Sequence, residues 1–96
     1  MRRKFGKIIN KLAEKDNKII LLVGDIGYGI FDDFRKEHPK RFFNLGICEQ
    51  SLIGVASGMS LEGLRPWVYT ITPFLIERPF EQIKLDIDQQ NVNVSL

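Results

Sequence analysis

The chain has one cysteine, one histidine, one tryptophan and two methionines among its 96 residues, so the side chains that most often carry redox or metal chemistry are scarce. A single Cys48 excludes an internal disulfide and any zinc site built from several cysteines. The longest apolar run, Ile19 to Val23, falls far short of the roughly 20 residues that span a bilayer. No large excess of one charge is present either. Fourteen Lys and Arg against twelve Asp and Glu leave +2, too near neutral for a nucleic-acid binder. The basic residues gather at the amino end (Arg2, Arg3, Lys4, Lys7, Lys11), where they read as the solvated face of a helix. That basic start leads into an amphipathic segment and not an apolar core, so no secretory leader is expected and a reducing cytoplasm fits. Internal repeats and low-complexity segments are absent. One core and one domain are the expectation for this length.

What is present is a rhythm of helices and strands. From Arg2 to Lys15 the apolar positions Phe5, Ile8, Ile9, Leu12 and Ala13 recur at spacings of three and four, which predicts one buried stripe on a helix. Ile19-Ile20-Leu21-Leu22-Val23 runs apolar without alternation, as a strand covered on both faces should. Gly24-Asp25-Ile26-Gly27-Tyr28-Gly29 follows as a sharp loop. Phe31 to Glu37 reads as a short helix that His38-Pro39 ends, and Arg41 to Leu45 as a second strand. A helix over 48–61 follows, with Ile53, Ala56 and either Val55 or Met59 on its apolar face. Gly54, Ala56, Ser57, Gly58 and Ser60 make it small-sided, open to close approach by another backbone, and Gly63 is its expected terminator. Trp67 to Ile71 reads as a third strand, Thr72-Pro73 as a turn, and 80–89 as a helix burying Phe80, Ile83, either Leu85 or Lys84, and Ile87. Asn91 to Leu96 alternates like the opening of a fourth strand. Strands separated by helices imply parallel βαβ units, with ligands bound outside the carboxyl ends of the strands.

Two of those strand ends carry candidate chemistry. Glu49 stands in the first turn of a helix after a strand, where the helix dipole favours negative charge. It is either a dipole-matched solvated residue or a carboxylate that holds and polarises a heteroaromatic nitrogen. Asp25 is either a turn residue or a ligand contact. The glycines around it miss the dinucleotide fingerprint in spacing, and no helix opens directly behind them, which rejects a nicotinamide site. Phe74 and Phe80 are core candidates at a strand-to-helix junction. Arg78 beside them could clamp a phosphate or carboxylate, or pair with Glu77 or Glu81. His38 has no expected partner. Cys48 reads as a small buried residue, with no neighbouring histidine to make it a nucleophile.

Read together, these segments resemble the central domain of transketolases and deoxyxylulose-phosphate synthases. Arg41-Phe42-Phe43-Asn44-Leu45-Gly46-Ile47-Cys48-Glu49-Gln50 is similar to that family's RF-x-N-x-GI-x-EQ signature. The stretch Gly54 to Pro66 is similar to its GxAxGxAxxGxxP continuation, and Phe74-Leu75 with Arg78 to Ile83 to its FLxRxxDQI run. Gly24-Asp25-Ile26-Gly27 matches its acidic residue after the first strand. The likeness spans Ile19 to Leu96. It implies an α/β fold: a three-layer sandwich with a mainly parallel sheet flanked by helices, the pyrimidine module of the thiamin diphosphate-binding fold, with residues 1–96 a partial pyrimidine-binding domain.

The resemblance also implies roles. Glu49 hydrogen-bonds the ring nitrogen of the aminopyrimidine of thiamine diphosphate and favours its imino tautomer. Asp25 lies near the cofactor's ring system, and Arg78 near the pyrimidine and the substrate entrance. The family's stacking phenylalanine usually sits three residues before the arginine. Leu75 holds that place here and Phe74 lies four before, so either residue is open for the contact. The diphosphate motif has no counterpart in the chain. The implied partner is therefore a diphosphate-binding domain or subunit that carries the Mg2+, in a homo- or hetero-oligomer, and this chain has no metal ligands of its own. The expected activity is transfer of a two-carbon ketol unit between sugar phosphates, inactive without that partner, with neither nucleic acid nor membrane involved. Alternatives are a deoxyxylulose-phosphate synthase-like or oxo-acid dehydrogenase β-subunit-like component, or a non-catalytic α/β interaction module or remnant.

Overall fold

An apolar run without alternation needs cover on both sides, and the sheet supplies it. The computed structural model describes residues 1–96 and places β1 (Ile19–Val23) between β2 (Phe42–Asn44) and β3 (Arg65–Tyr69), with all three strands parallel. Val23, the last residue of β1, lies opposite both Asn44 and Tyr69, so the three strands end level with one another. Successive side chains of a strand point to opposite faces. Ile19, Leu21 and Val23 therefore join one core with Ile9 and Ala13 of α1 (Arg2–Lys15), Phe31, and Phe34 of α2 (Asp32–Glu37). Ile20 and Leu22 join a second with Leu52, Ile53 and Ala56 of α3 (Glu49–Leu61), Val68 and Leu75. The expected three-layer α/β sandwich is the observed one.

The first core is aromatic at its margin. Phe5 stacks on Tyr69 at 5.7 Å between ring centroids, and Phe31 meets Tyr69 edge-on at 4.9 Å, both favourable arrangements. Helix α1 rides so close to the loop before α2 that a Cβ on Gly6 would stand 2.3 Å from the Ile30 carbonyl oxygen. On the other face α4 (Thr72–Ile76), α5 (Phe80–Gln82) and a π-helical stretch (Ile83–Asp88) pack beside α3, with Ile83 and Ile87 touching the second core.

Several local expectations are corrected. Ile8 and Leu12 are exposed, so the buried line of α1 runs through Gly6, Ile9 and Ala13 and not through the whole apolar stripe. Thr72-Pro73 opens a helical turn and does not merely reverse the chain, because proline suits a first turn whose N–H has no partner. Phe80 is 64% exposed and lies outside the core. The expected helix over 80–89 widens to π after Gln82. No neighbouring element lies within 4 Å of a Cβ placed on Gly54 or Gly58, so α3 is open at its two glycines, whereas Ala56 and Ser57 are buried. His38 does have a partner. Arg41 donates to its Nδ1 at 2.7 Å and to the carbonyls of Ala13 and Asp16 at 3.0 and 2.9 Å, where α1 ends. A guanidinium cannot accept, so Nδ1 accepts and the ring proton sits on Nε2. Beyond the π turn, Ser95 bridges to Trp67 in parallel, which extends the sheet past β3 at a single point.

Candidate functional site

The strand order decides where a ligand can enter. From β1 the chain crosses to β2 on one side and then to β3 on the other, and α2 and α3 lie on opposite faces. Such a reversal leaves a crevice at the carboxyl ends of the strands. A cleft of about 110 Å³ occupies that place, lined by Gly24 and Asp25 after β1, Ile47 and Glu49 after β2, and Ile71 and Phe74 after β3. Asp25, Glu49 and Phe74, singled out in sequence, are thus brought to one cavity from three separate segments.

Glu49 is the buried charge of the site. Gly46, at φ +79°, turns the chain after β2 in a conformation that favours glycine, and Cys48 precedes the helix that Glu49 opens without a side-chain cap to it. Cys48 is only partly buried, and its thiol donates to the Leu45 carbonyl at 2.8 Å. The Glu49 side chain is 2% exposed, and its Oε2 accepts from Arg78 Nη1 at 3.1 Å. Its Oε1 is buried without any partner. Buried polar atoms are almost always satisfied, so an orphan carboxylate oxygen in a cleft wall marks a place for a donor from a ligand. Arg78 pairs with this carboxylate and with neither Glu77 nor Glu81. Its guanidinium carbon also lies 3.9 Å from the centroid of the Phe74 ring. Phe74 faces the cleft, while Leu75 is 7% exposed and part of the second core. Of the two residues left open in sequence, Phe74 has its ring at the site.

Asp25 stands at φ +54°, a left-handed conformation that costs a residue with a Cβ about 1–2 kcal/mol. Side-chain hydrogen bonds hold it there. Tyr28 Oη donates to Asp25 Oδ1 at 2.6 Å, and Asn44 Nδ2 donates to the same oxygen at 3.1 Å. Asn44 Oδ1 accepts from the backbone N–H of Asp25 at 2.9 Å and of Gly46 at 3.0 Å. The hydrogen bond from Tyr28, then that from Asn44, hold the Asp25 carboxyl below its ordinary 3.8, and the same carboxylate raises the Tyr28 phenol above 10.0. Asn44 ties the loop carrying Asp25 to the turn leading to Glu49. Neither Asn44 nor Tyr28 was named as a site residue from sequence. The available signal was an amide closing an otherwise aromatic strand at its carboxyl end. No three His, Cys, Asp or Glu side chains converge to hold a metal ion, and no helix is long and apolar enough to cross a membrane.

The family model described as the transketolase pyrimidine binding domain matches residues 1–96, from end to end. The chain belongs to the transketolase pyrimidine-binding domain family. An uncharacterized 33.6 kDa protein in the fasciation locus of Rhodococcoides fascians is 41% identical over 92 residues, which are 96% of this chain and 30% of that protein. A 1-deoxy-D-xylulose-5-phosphate synthase of Clostridium perfringens is 39% identical over 93 residues, 96% of this chain and 15% of the synthase. A solved structure described as a split gene transketolase, inactive beta4 tetramer, superposes with TM-score 0.85 at 40% identity, covering 94% of this chain and 30% of that one. The pyrimidine-binding chain therefore spans less than a third of the length of these relatives.

Membership of the transketolase pyrimidine-binding family implies binding of thiamine diphosphate. The residues present fit the pyrimidine end of the cofactor. Glu49 Oε1 is a buried acceptor without a partner, which suits a ring N–H, and Phe74 in the same cleft has an aromatic face suited to stacking.

Proposed function

We propose that this chain is the pyrimidine-binding part of a thiamine diphosphate-dependent transketolase that moves a two-carbon ketol unit between sugar phosphates. The observation that carries the reading is the Glu49 carboxylate, buried at the carboxyl end of a parallel sheet with one oxygen paired and the other free. Glu49 Oε1 would accept a hydrogen bond from the pyrimidine ring N–H and so favour the ring's imino form. Arg78 orients that carboxylate through Oε2. Phe74 would bear the ring face, and the Asn44–Asp25–Tyr28 cluster sets the opposite loop. Ile47 and Ile71 line the cleft with apolar surface. The chemistry supplied by bound thiamine diphosphate is that of an electron sink for making and breaking a carbon–carbon bond beside a carbonyl.

The diphosphate and a Mg2+ ion would be held by a separate diphosphate-binding domain or subunit, in a homo- or hetero-oligomer of the reducing cytoplasm. The description of the solved relative as an inactive tetramer of a split transketolase supports inactivity of pyrimidine-bearing chains without that partner. The test is Glu49→Ala in the assembled enzyme, followed by exchange of the cofactor's C2 proton. A loss of about 10²–10⁴-fold in rate is expected for a removed acid–base group, and unchanged exchange would refute the role. A second reading, a deoxyxylulose-phosphate synthase component, is favoured by the 39% identity to the Clostridium perfringens enzyme. Assaying pyruvate with glyceraldehyde phosphate against ketose and aldose phosphates separates the two.

A further inference from the structure

The two layers over the sheet are not equally complete. Strand β1 is buried on both faces along its whole length. On β3, Pro66 and Val68 are buried, but Trp67 and Tyr69, which alternate with them toward α1, are only half-buried. A parallel sheet ordinarily has both faces covered. Here α1 shields the aromatic pair in part, through Phe5, whose ring lies 6.1 Å from that of Trp67 and 5.7 Å from that of Tyr69. A groove of about 320 Å³ remains between Leu12 and Lys15 of α1, Arg65 and Trp67 of β3, and Ser95 beyond it. Leu12 is 39% exposed, and Ile8, about one turn before it, is 46% exposed. The apolar stripe of α1 is therefore wider than the part of it that this chain buries.

The rim of this surface has one sign. Residues three and four apart on a helix are neighbours, so Lys4 and Lys11 flank Ile8, and Lys15 flanks Leu12. All three lysines are exposed, and neither of the chain's ion pairs involves them. Asp16, the acid in the groove, is already paired with Arg65 at 2.8 Å. Glu14, two residues from Leu12, lies on the opposite side of the helix. We propose that the groove is a docking site for an acidic amphipathic helix of a partner protein, its apolar face laid on Ile8, Leu12 and Trp67 and its carboxylates turned toward Lys4, Lys11 and Lys15. A helix fits because the open surface is a sheet face, which offers no backbone groups to pair with, so the occupant must satisfy its own. The edge of β3 is taken at this level: Val68 N–H donates to the Ser95 carbonyl at 2.8 Å, and Ser95 N–H to that of Pro66 at 3.0 Å. Beside α1, such a helix would cover β3 as α1 covers β1. A bilayer also favours basic and apolar surface, but it is flat and does not enter a concavity between a helix and a sheet. The groove lies toward the amino ends of the strands and Glu49 at their carboxyl ends, so the inference does not depend on the thiamine diphosphate reading.

Trp67, the single tryptophan, lies in the groove and serves as the reporter. The whole chain is titrated at low salt with a stapled, tryptophan-free helix as long as the 14-residue α1, bearing leucine on one face and glutamate on the other. A saturable blue shift of Trp67 emission is expected, and added salt should weaken it. Leu12→Glu, which sets a charge against the apolar face of the added helix, should lower the affinity by about tenfold or more. Lys11→Glu combined with Lys15→Glu should turn the preference toward the same helix carrying lysine in place of glutamate. Thermal melting checks that these exposed substitutions leave the chain folded. Absence of saturable binding, or equal binding of the acidic and basic helices, overturns the proposal. So does a shift given by anionic lipid vesicles and not by the acidic helix, which would make α1 a membrane-facing surface. Self-association in sedimentation that Leu12→Glu abolishes would assign the groove to a second copy of the chain and overturn the proposal equally.

Discussion

Replacing Glu49 with leucine should remove the chemistry of the site and almost none of the stability of the fold. Glu49 makes one charged hydrogen bond, to Arg78 at 3.1 Å, and leaves Oε1 buried without a partner. A hydrogen bond to a charged group contributes about 1.5–3 kcal/mol when desolvated. The Arg78 side chain is 45% exposed, so solvent screening brings this pair toward about 1 kcal/mol. The dipole of α3 adds about 0.3–1 kcal/mol for an acidic residue in its first turn. Against both stands the burial of an unsatisfied oxygen, which costs about 1–3 kcal/mol and is absent from a leucine of similar length. The effects offset, and urea unfolding at unchanged slope should show a difference within about 1 kcal/mol of wild type. Exchange at cofactor C2, measured in the assembly, should fall with it by about 10²–10⁴-fold. Breaking a fully buried ion pair would instead cost about 3–5 kcal/mol, because the remaining charge stays dry. Destabilisation of that size would show that the carboxylate is a structural prop, and the view of Oε1 as a waiting ligand atom would be wrong.

Two further outcomes follow from the loop facing Glu49. The depressed Asp25 and elevated Tyr28 stabilise the loop from above the ordinary carboxyl value of 3.8 up to the ordinary phenol value of 10.0. That contribution is lost as pH falls through the lowered Asp25 value and again as it rises through the raised Tyr28 value; the ultraviolet phenolate titration of Tyr28 should move back toward 10.0 in Asp25→Asn, and an unmoved titration refutes the pairing. Asn44→Ala removes the acceptor shared by the Asp25 and Gly46 amides. Hydrogen exchange at those two amides should quicken by about 5- to 30-fold, for a loss of roughly 1–2 kcal/mol of local hydrogen bonding, whereas amides of β1 keep their protection.

The layers of this protein are local properties of its sequence. An unbroken Ile19-to-Val23 run can be satisfied only by cover on both faces, and helices between parallel strands provide it. Gly46 and the first turn of α3 likewise announce a carboxylate at a strand end, because the turn needs a left-handed residue and the helix start favours a negative charge. Position in the chain does not convey distance across the sheet. That Arg78 answers Glu49, 29 residues away, and that Asn44 answers Asp25, 19 away, depends on strand order and level strand ends. The helical turn at Thr72–Ile76 carries Leu75 into the core and leaves Phe74 lining the cleft, a division that residue spacing does not convey. Sequence alone determined which groups could do chemistry here; only tertiary packing decided which were left unsatisfied, since an unpaired buried oxygen exists only after every other donor has been placed.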